Sequence, residues 1–426
     1  MSSHRKCGFC KGVVPVKETE CPFCGKSLEN YGALGAWIED FLPKDRPLTK
    51  MLAALAVAMY LLVGMVAGGP SILGPSTYTL IHFGASFPPY IIEGQWWRLI
   101  TALFMHGDIM HIGFNLYALW LLGTLIENSF GKVRTLIIFV VTGLVSTLLS
   151  FGWGFIYFEL LQAIGMDPSG SASVFTPSVG MSGSLTGLIG VGVSAGHRVK
   201  TVQGAQIRHV MLRWMGFIVV FGLIVDQVDN AAHIGGFLAG LALGQVMPLK
   251  DQASNRAGYF YGAGAALSAL LIVGALVAQF ATIPTQYPPD SMVYPTAVFG
   301  QIVREADLND PDYISAAKGC ENSLGALEQE KDPKKLAEER EIAVANCDEL
   351  NYIQPFFTPS YWASAYAHHE NGDDDTACRK LRVALLMEVY GQPQLAGRIT
   401  NELKALNAAA GCGLEVPEMT PIQINF

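Results

Sequence analysis

Seven long apolar runs constrain what this chain can fold into. Each has roughly the 17 to 25 residues that a helix needs to cross the hydrocarbon core of a bilayer. Since 51% of the residues are hydrophobic and only 15% are charged, the sequence predicts an all-α polytopic membrane protein. The predicted spans are 51–68, 111–127, 134–158, 181–196, 209–225, 231–247 and 259–281.

Basic residues fall in alternate connections between these spans. Lys44, Arg46 and Lys50 precede the first span, whereas the connections 69–97 and 159–179 contain neither lysine nor arginine. Because positively charged loops stay in the cytoplasm, the pattern predicts a cytoplasmic N-terminus. An odd number of spans then places the C-terminal region outside. An organellar presequence is not recognisable, which favours a bacterial inner (plasma) membrane.

Four cysteines near the N-terminus form two CxxC pairs separated by ten residues. Cys7, Cys10, Cys21 and Cys24 have the spacing of one tetrahedral zinc site, and a glycine relieves the turn in "CPFCG". In a reducing cytoplasm, metal is favoured over the alternatives of a disulfide or unligated thiols. Residues 1–30 are therefore predicted to be a structural zinc ribbon. Four thiolates leave no open position for catalysis, so no catalytic cofactor is predicted.

Four more cysteines lie after the last span, in the region predicted to be outside. Cys320, Cys347, Cys378 and Cys412 allow three pairings in an oxidising compartment. We favour disulfides between sequence neighbours, which join Cys320 to Cys347 and Cys378 to Cys412. Free buried cysteines are the alternative.

The C-terminal region 282–426 is predicted to be a soluble helical domain. The run "YWASAYAHHENGDDDTACRKLRVALL" indicates two amphipathic helices around an Asn-Gly turn, as in a tetratricopeptide hairpin. An ordinary small helical domain is the alternative. From residue 288 onward there are 22 acidic and 11 basic residues, a balance that argues against nucleic acid as a partner. We predict that this domain recruits or regulates through a protein partner.

Polar side chains cluster near the outward ends of three spans. "HGDIMHIGFN" supplies His106, His111 and Asn115, "GMSG" supplies Ser182, and "DNAAHIGG" supplies His233. A serine that meets a histidine can be activated for attack on a carbonyl, and nearby histidine and asparagine donors can stabilise the oxyanion. The small residues of "GLIGVG" and "GGFLAGLALG" would let two helices approach closely enough for that contact.

Each of these residues also has a less specific interpretation. A serine in a glycine-rich span often bonds back to a carbonyl one turn earlier. His106 and His111 could bind a metal ion together with a carboxylate. Polar residues in several spans could also line a transport pathway, but clustering at one membrane side argues against a route across the membrane.

Residues 51–247 resemble the rhomboid intramembrane serine proteases. The resemblance is carried by "WWRLITALFMHGDIMHIGFNLYALWLLGTLIE", "GMSG" and "DNAAHIGGFLAGLALG", which occur in the family's order. It implies cleavage of transmembrane-protein substrates near the outer membrane boundary by a dyad of Ser182 as nucleophile and His233 as general base. It also implies that His111, Asn115 and the Ser182 N–H bind the oxyanion.

The same resemblance assigns supporting roles to residues near the site. His106 matches a histidine that is usually structural, and Arg98 and Glu127 match positions that stabilise the outer loop and helix contacts. Gly180 and Gly183 flank the serine in "GMSG". An inactive rhomboid-like protein that binds membrane clients for quality control is the alternative, although inactive relatives commonly lose one member of the dyad.

Parts of the chain depart from the family pattern or lie outside it. Thr186 stands where family members often have an aromatic residue, so substrate preference is open. Asp226 and Asp229 are not assigned as a third catalytic member. We predict a six-helix core followed by a loop and a seventh span at 248–281, with 31–50 as a juxtamembrane linker.

Overall fold

A computed structural model describes most of this chain. Most of the predicted linker, 31–45, and Asp226 lie outside the described residues. The described residues are 4–7, 10, 12–15, 18, 20–25, 28, 46–66, 73–164, 175–225, 227–250, 255–282, 311–353, 358–390 and 398–414.

A small β-hairpin precedes the helices. Strands β1 (His4–Lys6) and β2 (Val13–Pro15) pair antiparallel, with Arg5 opposite Val14. Beyond the hairpin, Gly25 has a φ of 67°, a left-handed conformation that glycine adopts without steric cost. The hairpin and the following turns thus hold two short cysteine-bearing segments close together.

Helices account for nearly all the remaining described structure up to residue 282. A 3₁₀ turn at Ala102–Phe104 extends α4, and a π-helical segment at Leu119–Gly123 joins α5 to α6. The helices are α1 (Pro47–Val66), α2 (Thr77–Phe83), α3 (Pro88–Ile92), α4 (Arg98–Thr101), α5 (Ile109–Ala118), α6 (Thr124–Phe130), α7 (Lys132–Ala163), α8 (Ser182–Arg198), α9 (Val202–Ile224), α10 (Asn230–Val246) and α11 (Asn255–Thr282).

Five helices among the described residues are long and apolar enough to cross a membrane, so the chain is a multi-pass membrane protein. They are Pro47–Met65, Ile109–Phe130, Lys132–Ala163, Val202–Ile224 and Tyr259–Thr282. Helices α8 and α10 coincide with two further predicted spans but have only 17 residues each. The arrangement of six helices plus one therefore stays a prediction.

Glycines let α8 and α10 pack backbone against backbone. A Cβ atom added to Gly236 would lie 1.9 Å from the carbonyl oxygen of Gly183, and one added to Gly240 would lie 2.0 Å from that of Gly187. Any side chain at these positions would force the helices apart. The predicted close approach of these two glycine-rich helices is confirmed.

The chain divides into two compact units, each built from several segments. The first contains Met1–Ser86, Trp97–Gly152 and Pro177–Gly300. The second contains Phe87–Trp96 and Trp153–Thr176 together with Gln301–Phe426. A segment of the predicted outer loop, including α3, therefore belongs with the C-terminal helices.

The C-terminal helices pack in sequence order, and both predicted disulfides are present. The bond between Cys320 and Cys347 joins the first two of these helices, and that between Cys378 and Cys412 joins α15 to the residues after α16. The helices are α12 (Pro311–Gln329), α13 (Pro333–Ile353), α14 (Thr358–Glu370), α15 (Asp374–Tyr390) and α16 (Arg398–Ala409).

The predicted hairpin around the Asn-Gly turn corresponds to α14 and α15. Gly372 lies in the turn with a φ of 80°, which explains why glycine follows Asn371 there. Asp373 then accepts a hydrogen bond from the Thr376 N–H at the start of α15. Local signals that are visible in the sequence thus end α14 and start α15.

Candidate active site

Ser182 and His233 meet at the beginnings of α8 and α10. The Nε2 atom of His233 lies 2.8 Å from the Oγ atom of Ser182, and the histidine is buried. Ser182 follows a turn at Gly180, whose φ of 110° favours glycine. The short turn and the first residue of α8 together present the hydroxyl to the imidazole.

The surroundings of His233 define a pair without an acidic third member. Its Nδ1 atom is buried and has no hydrogen-bond partner among the described residues. A neutral imidazole that accepts the serine proton at Nε2 carries its own proton on Nδ1. The geometry therefore suits a Ser-His dyad in which Nε2 is the basic atom.

His111 lies against the turn that leads to Ser182. A Cβ atom on Gly180 would lie 2.6 Å from His111 Nε2, so only glycine leaves space for the imidazole. The Gly107 N–H donates to His111 Nδ1 over 3.4 Å, which assigns the proton of a neutral ring to Nε2. His111 thus directs an N–H donor toward the Gly180 turn.

Asn115 lies one helical turn after His111, as the four-residue spacing predicts. Its Nδ2 atom donates to the backbone carbonyl of His111 over 2.8 Å, and its Oδ1 atom is buried without a partner among the described residues. The side chain is therefore next to the site, but its amide hydrogen bonds to the helix in this structure.

The N-terminus of α8 adds backbone donors to the site. The first intrahelical bond is donated by Leu185 to the Met181 carbonyl, so the N–H groups of Ser182 and Gly183 precede the intrahelical ladder. The helix dipole also places partial positive charge at this end. A negative charge that develops on an oxygen near Ser182 would be stabilised here.

Comparison with known proteins finds a family model that matches part of this chain. Residues 93–250 match the family model described as the rhomboid domain. The match supports the rhomboid family. Both members of the Ser-His pair lie within the matched residues, whereas the cysteine cluster and the C-terminal helices lie outside them.

Several curated relatives are rhomboid proteins. Rhomboid protease GluP of Bacillus subtilis (strain 168) is 31% identical over 45% of this chain and 33% of its own length. RHOMBOID-like protein 5 of Arabidopsis thaliana is 34% identical over 42% of this chain and 53% of its own length. Rhomboid protease AarA of Providencia stuartii is 29% identical over 45% of this chain and 69% of its own length. The chain thus spans between a third and about half the length of the first two relatives.

Two charged residues within the matched region hold helices together. Buried Arg98 donates from Nη1 to the carbonyls of Ile81 and Ala85, which ties the end of α2 to α4. Glu127 accepts from the N–H groups of Leu48 and Thr49, each over 3.0 Å, and so caps α1.

Glu127 lies far from the dyad along its helix. It follows His111 by 16 residues on one continuous helix, a distance of about 24 Å at 1.5 Å per residue. Its carboxylate binds the N-terminus of α1, at the other end of the helix from the dyad. The sequence places both residues in one motif, but a helix of this length separates its ends.

The remaining predicted residues pack around the dyad. The His106 ring is buried and meets that of His111 edge-on, with 5.1 Å between the ring centroids. Gly183 leaves space for Ser146, whose Oγ atom would lie 1.7 Å from an added Cβ. Thr186 donates to the Gly183 carbonyl over 2.9 Å and faces α10, so it belongs to the helix interface.

Sequence reasoning missed one group near the dyad. The Asp229 carboxylate, at the N-cap of α10, accepts from Ser178 Oγ over 2.7 Å and also from Ser150 Oγ. The sequence signal was an aspartate directly before the helix that carries His233. Only the fold reveals that the same carboxylate reaches the segment before Ser182.

The four N-terminal cysteines form a cluster that fits a tetrahedral metal ion. Their sulfur atoms all lie within 4.8 Å of one another. Cys7 and Cys24 are 3.8 Å apart, and Cys10 and Cys21 are 3.5 Å apart. Zinc–sulfur bonds of about 2.3 Å in a tetrahedron give sulfur separations of about 3.8 Å. Within the described residues, this is the one group of histidine, cysteine and acidic side chains that could hold a metal.

Proposed function

We propose that this chain is a serine-type intramembrane endopeptidase that cleaves transmembrane proteins. The observation that carries the proposal is the 2.8 Å contact between Ser182 and His233 at the ends of two glycine-packed helices. The matched rhomboid domain and relatives named as rhomboid proteases support protease function at the family level.

In the proposed reaction, Ser182 Oγ attacks the carbonyl carbon of the scissile peptide bond while His233 Nε2 takes the hydroxyl proton. The resulting imidazolium returns that proton to the leaving amine, which releases one product and leaves an acyl-enzyme. Water, deprotonated by His233, then hydrolyses the ester and restores Ser182. The Nδ1 proton stays on His233 throughout.

The oxyanion would be bound by the Ser182 N–H and by His111 Nε2–H. Asn115 joins them if its side chain releases the His111 carbonyl, to which it donates in this structure. Loss of one oxyanion donor typically costs about 10²- to 10³-fold in kcat. We therefore expect His111→Ala to lower the rate strongly, and Asn115→Ala to lower it by no more than that.

Labelling with a fluorophosphonate probe tests the proposal directly. The detergent-purified chain is compared with its Ser182→Ala, His233→Ala and Ser184→Ala variants. Ser184 is a matched control because it lies two residues away but is fully buried. Labelling should vanish for the first two variants and persist for the third. If the folded native chain never labels beside an active rhomboid control, the inactive client-binding alternative replaces this proposal.

We also propose that Cys7, Cys10, Cys21 and Cys24 bind one structural zinc ion. In a segment of about 30 residues whose hairpin has two strands of three residues each, the metal would supply most of the folding free energy. Metal analysis of the purified chain should give about one zinc per chain, and Cys7→Ser should lose it. His4→Ala removes another potential ligand of the same segment and should retain zinc. A reduced native sample without zinc would refute the assignment.

The cysteine chemistry supports the proposed orientation in a bacterial inner membrane. The N-terminal thiols suit a reducing cytoplasm, whereas the C-terminal region contains two disulfides. A C-terminal alkaline phosphatase fusion should therefore be active, because that enzyme requires an oxidising compartment. An inactive but full-length fusion would reverse the orientation.

We propose that the C-terminal helical domain, with its tetratricopeptide-like hairpin, recruits or regulates through a protein partner, and that the zinc ribbon does so from the cytoplasmic side. Their positions outside the matched rhomboid domain support separate roles. Deletion of either region should change cleavage of some substrates but not the dyad's labelling. Unchanged cleavage of every substrate tested would contradict these roles.

A further inference from the structure

Two contacts connect the start of α8 to the start of α10 at the same sequence offset. Ser178 meets Asp229 and Ser182 meets His233, and each pair is separated by 51 residues. Ser178 precedes Ser182 by four residues, as Asp229 precedes His233. The serine–aspartate contact therefore lies beside the dyad, four residues earlier in each of the two segments.

Contacts between the two segments lie on both sides of the dyad. On the helical side, Gly236 packs against the carbonyl of Gly183, directly after the nucleophile. On the other side, the Asp229 carboxylate accepts from Ser178 Oγ over 2.7 Å. Between these points, the backbones that carry Oγ and Nε2 have little freedom to separate.

Asp229 is itself held on the α10 side. Its Oδ1 atom accepts from the Ala232 N–H over 2.8 Å, and its backbone carbonyl accepts from the His233 N–H over 3.1 Å. Ser150 on α7 donates to the same carboxylate as Ser178. One side chain therefore joins α7, α10 and the segment before α8.

The segment before α8 is held from its other edge as well. Ser178 pairs with Ser86 through two backbone hydrogen bonds of 2.9 and 3.0 Å, and the Gly180 N–H donates to the Ala102 carbonyl over 2.8 Å. These bonds hold the segment against the outer loop. The Asp229 carboxylate in turn ties this segment to the helix of the general base.

We propose that Asp229 is a positioning residue of the dyad, which sets the distance between Ser182 Oγ and His233 Nε2 by tethering Ser178 to the start of α10. It does not touch the reacting atoms and transfers no proton. This inference rests on the proposed serine-protease function. Misplacement of reacting groups by about 1 Å can cost about 100-fold in rate, so a small shift suffices.

The test measures how the fluorophosphonate labelling rate depends on probe concentration. Asp229→Asn keeps an N-cap acceptor for Ala232 but replaces the acceptor for the serine hydroxyls with an amide donor. Its maximal labelling rate constant should fall about 10- to 100-fold, with a similar half-saturating probe concentration. Ser178→Ala should give a smaller fall, and the double variant should be no slower than the slower single variant.

Thr201→Ala is the matched control for loss of a helix cap. Thr201 caps α9 by accepting from the Gly204 N–H over 3.1 Å, so its loss should lower stability without changing the labelling rate constant. A merely structural role for Asp229 would lower only the fraction of chain that labels, in step with its melting temperature. That result, or a native rate constant for Asp229→Asn, overturns the inference. Failure of the native chain to label, or labelling that survives Ser182→Ala, would instead overturn the proposed function.

Discussion

Two helix pairs in this chain are held together in different ways. Helices α8 and α10 meet through glycine, so that backbone contacts backbone, and no covalent bond joins them within the described residues. Helices α12 and α13 are joined by the disulfide between Cys320 and Cys347. One pair thus relies on close backbone packing and the other on a covalent bond.

We attribute the difference to the predicted surroundings of each pair, which are lipid for α8 and α10 and water for α12 and α13. Lipid tails are as apolar as leucine, so helices in a bilayer gain little from burying large side chains and associate through close van der Waals contact instead. A small domain in water does gain from burial, but its core is limited and disulfides commonly add stability. The contact between Ser182 and His233 thus depends on small residues, whereas the C-terminal region depends on covalent and ionic contacts.

The largest expected effect comes from one methyl group at the glycine contact. In Gly236→Ala, the new Cβ would lie 1.9 Å from the Gly183 carbonyl oxygen, so α8 and α10 must separate. We expect fluorophosphonate labelling to fall at least about 100-fold. Gly216→Ala on α9, where an added Cβ meets nothing within 4 Å, is the matched control and should label normally. Normal labelling of both variants would contradict the importance of the backbone contact.

Removal of the disulfide in α12 and α13 should have the next largest effect. The bond closes a chain segment with a sequence separation of 27, for which the chain-entropy model gives about 3–4 kcal/mol of stability. Replacing both cysteines by serine should increase hydrogen exchange in α12 and α13 but leave fluorophosphonate labelling of Ser182 unchanged. Equal protection with and without the bond would show that packing alone holds these helices.

A buried ion pair inside the second unit should contribute somewhat less. Lys380 on α15 lies 3.1 Å from Glu93, just after α3, and both side chains are only 11% exposed. Lys380 also donates to Asn351 Oδ1 over 2.6 Å. Lys380→Met leaves the Glu93 carboxylate buried and unpaired, which should cost about 2–3 kcal/mol because residual water screens part of the charge.

Exchange of the two charges provides the control for that prediction. A chain with both Lys380→Glu and Glu93→Lys should regain part of the stability that either single variant loses, measured by proteolysis of the C-terminal region. If the double variant loses as much stability as the two single variants lose together, the two side chains do not stabilise each other across this contact.

The smallest expected effect is the acid sensitivity of α13. Burial alone would raise the pKa of Asp348, but the His368 hydrogen bond, the Lys380 charge and the Ser364 hydroxyl outweigh it and lower that pKa to about 2. The unfolded value is about 3.9, so this stabilisation is complete above that pH and is lost as the pH falls from about 4 to 2.

Because the Asp348 side chain is 41% exposed, solvent screening keeps the contribution small. Hydrogen exchange of α13 and α14 amides in the native chain should therefore approach that of Asp348→Asn as the pH falls through this range. A difference that stays constant between pH 5 and pH 2 would show that ionisation of Asp348 does not matter.

Much of the site could be predicted because its signals are local. The spacing of His111 and Asn115 alone predicts that they share a helix face. The glycines of α8 and α10 predict a close contact between two helices in lipid. The distance between Glu127 and the dyad could not be predicted, because membership of one motif says nothing about the length of helix between two residues. The role of Asp229 was missed because its serine partners lie 51 and 79 residues away in sequence.

The sequence by itself determined that several segments are apolar enough to cross a bilayer, which cysteines can share a metal and which residues can carry acyl-transfer chemistry. These properties depend on residue type and on short spacings in the sequence, so they can be predicted without knowledge of the tertiary structure. Only the tertiary structure decided the 2.8 Å approach of Ser182 to His233, the tether at Asp229 and the grouping of Phe87–Trp96 with the C-terminal helices. Such contacts join distant parts of the chain, so they depend on how whole helices pack and not on any one segment.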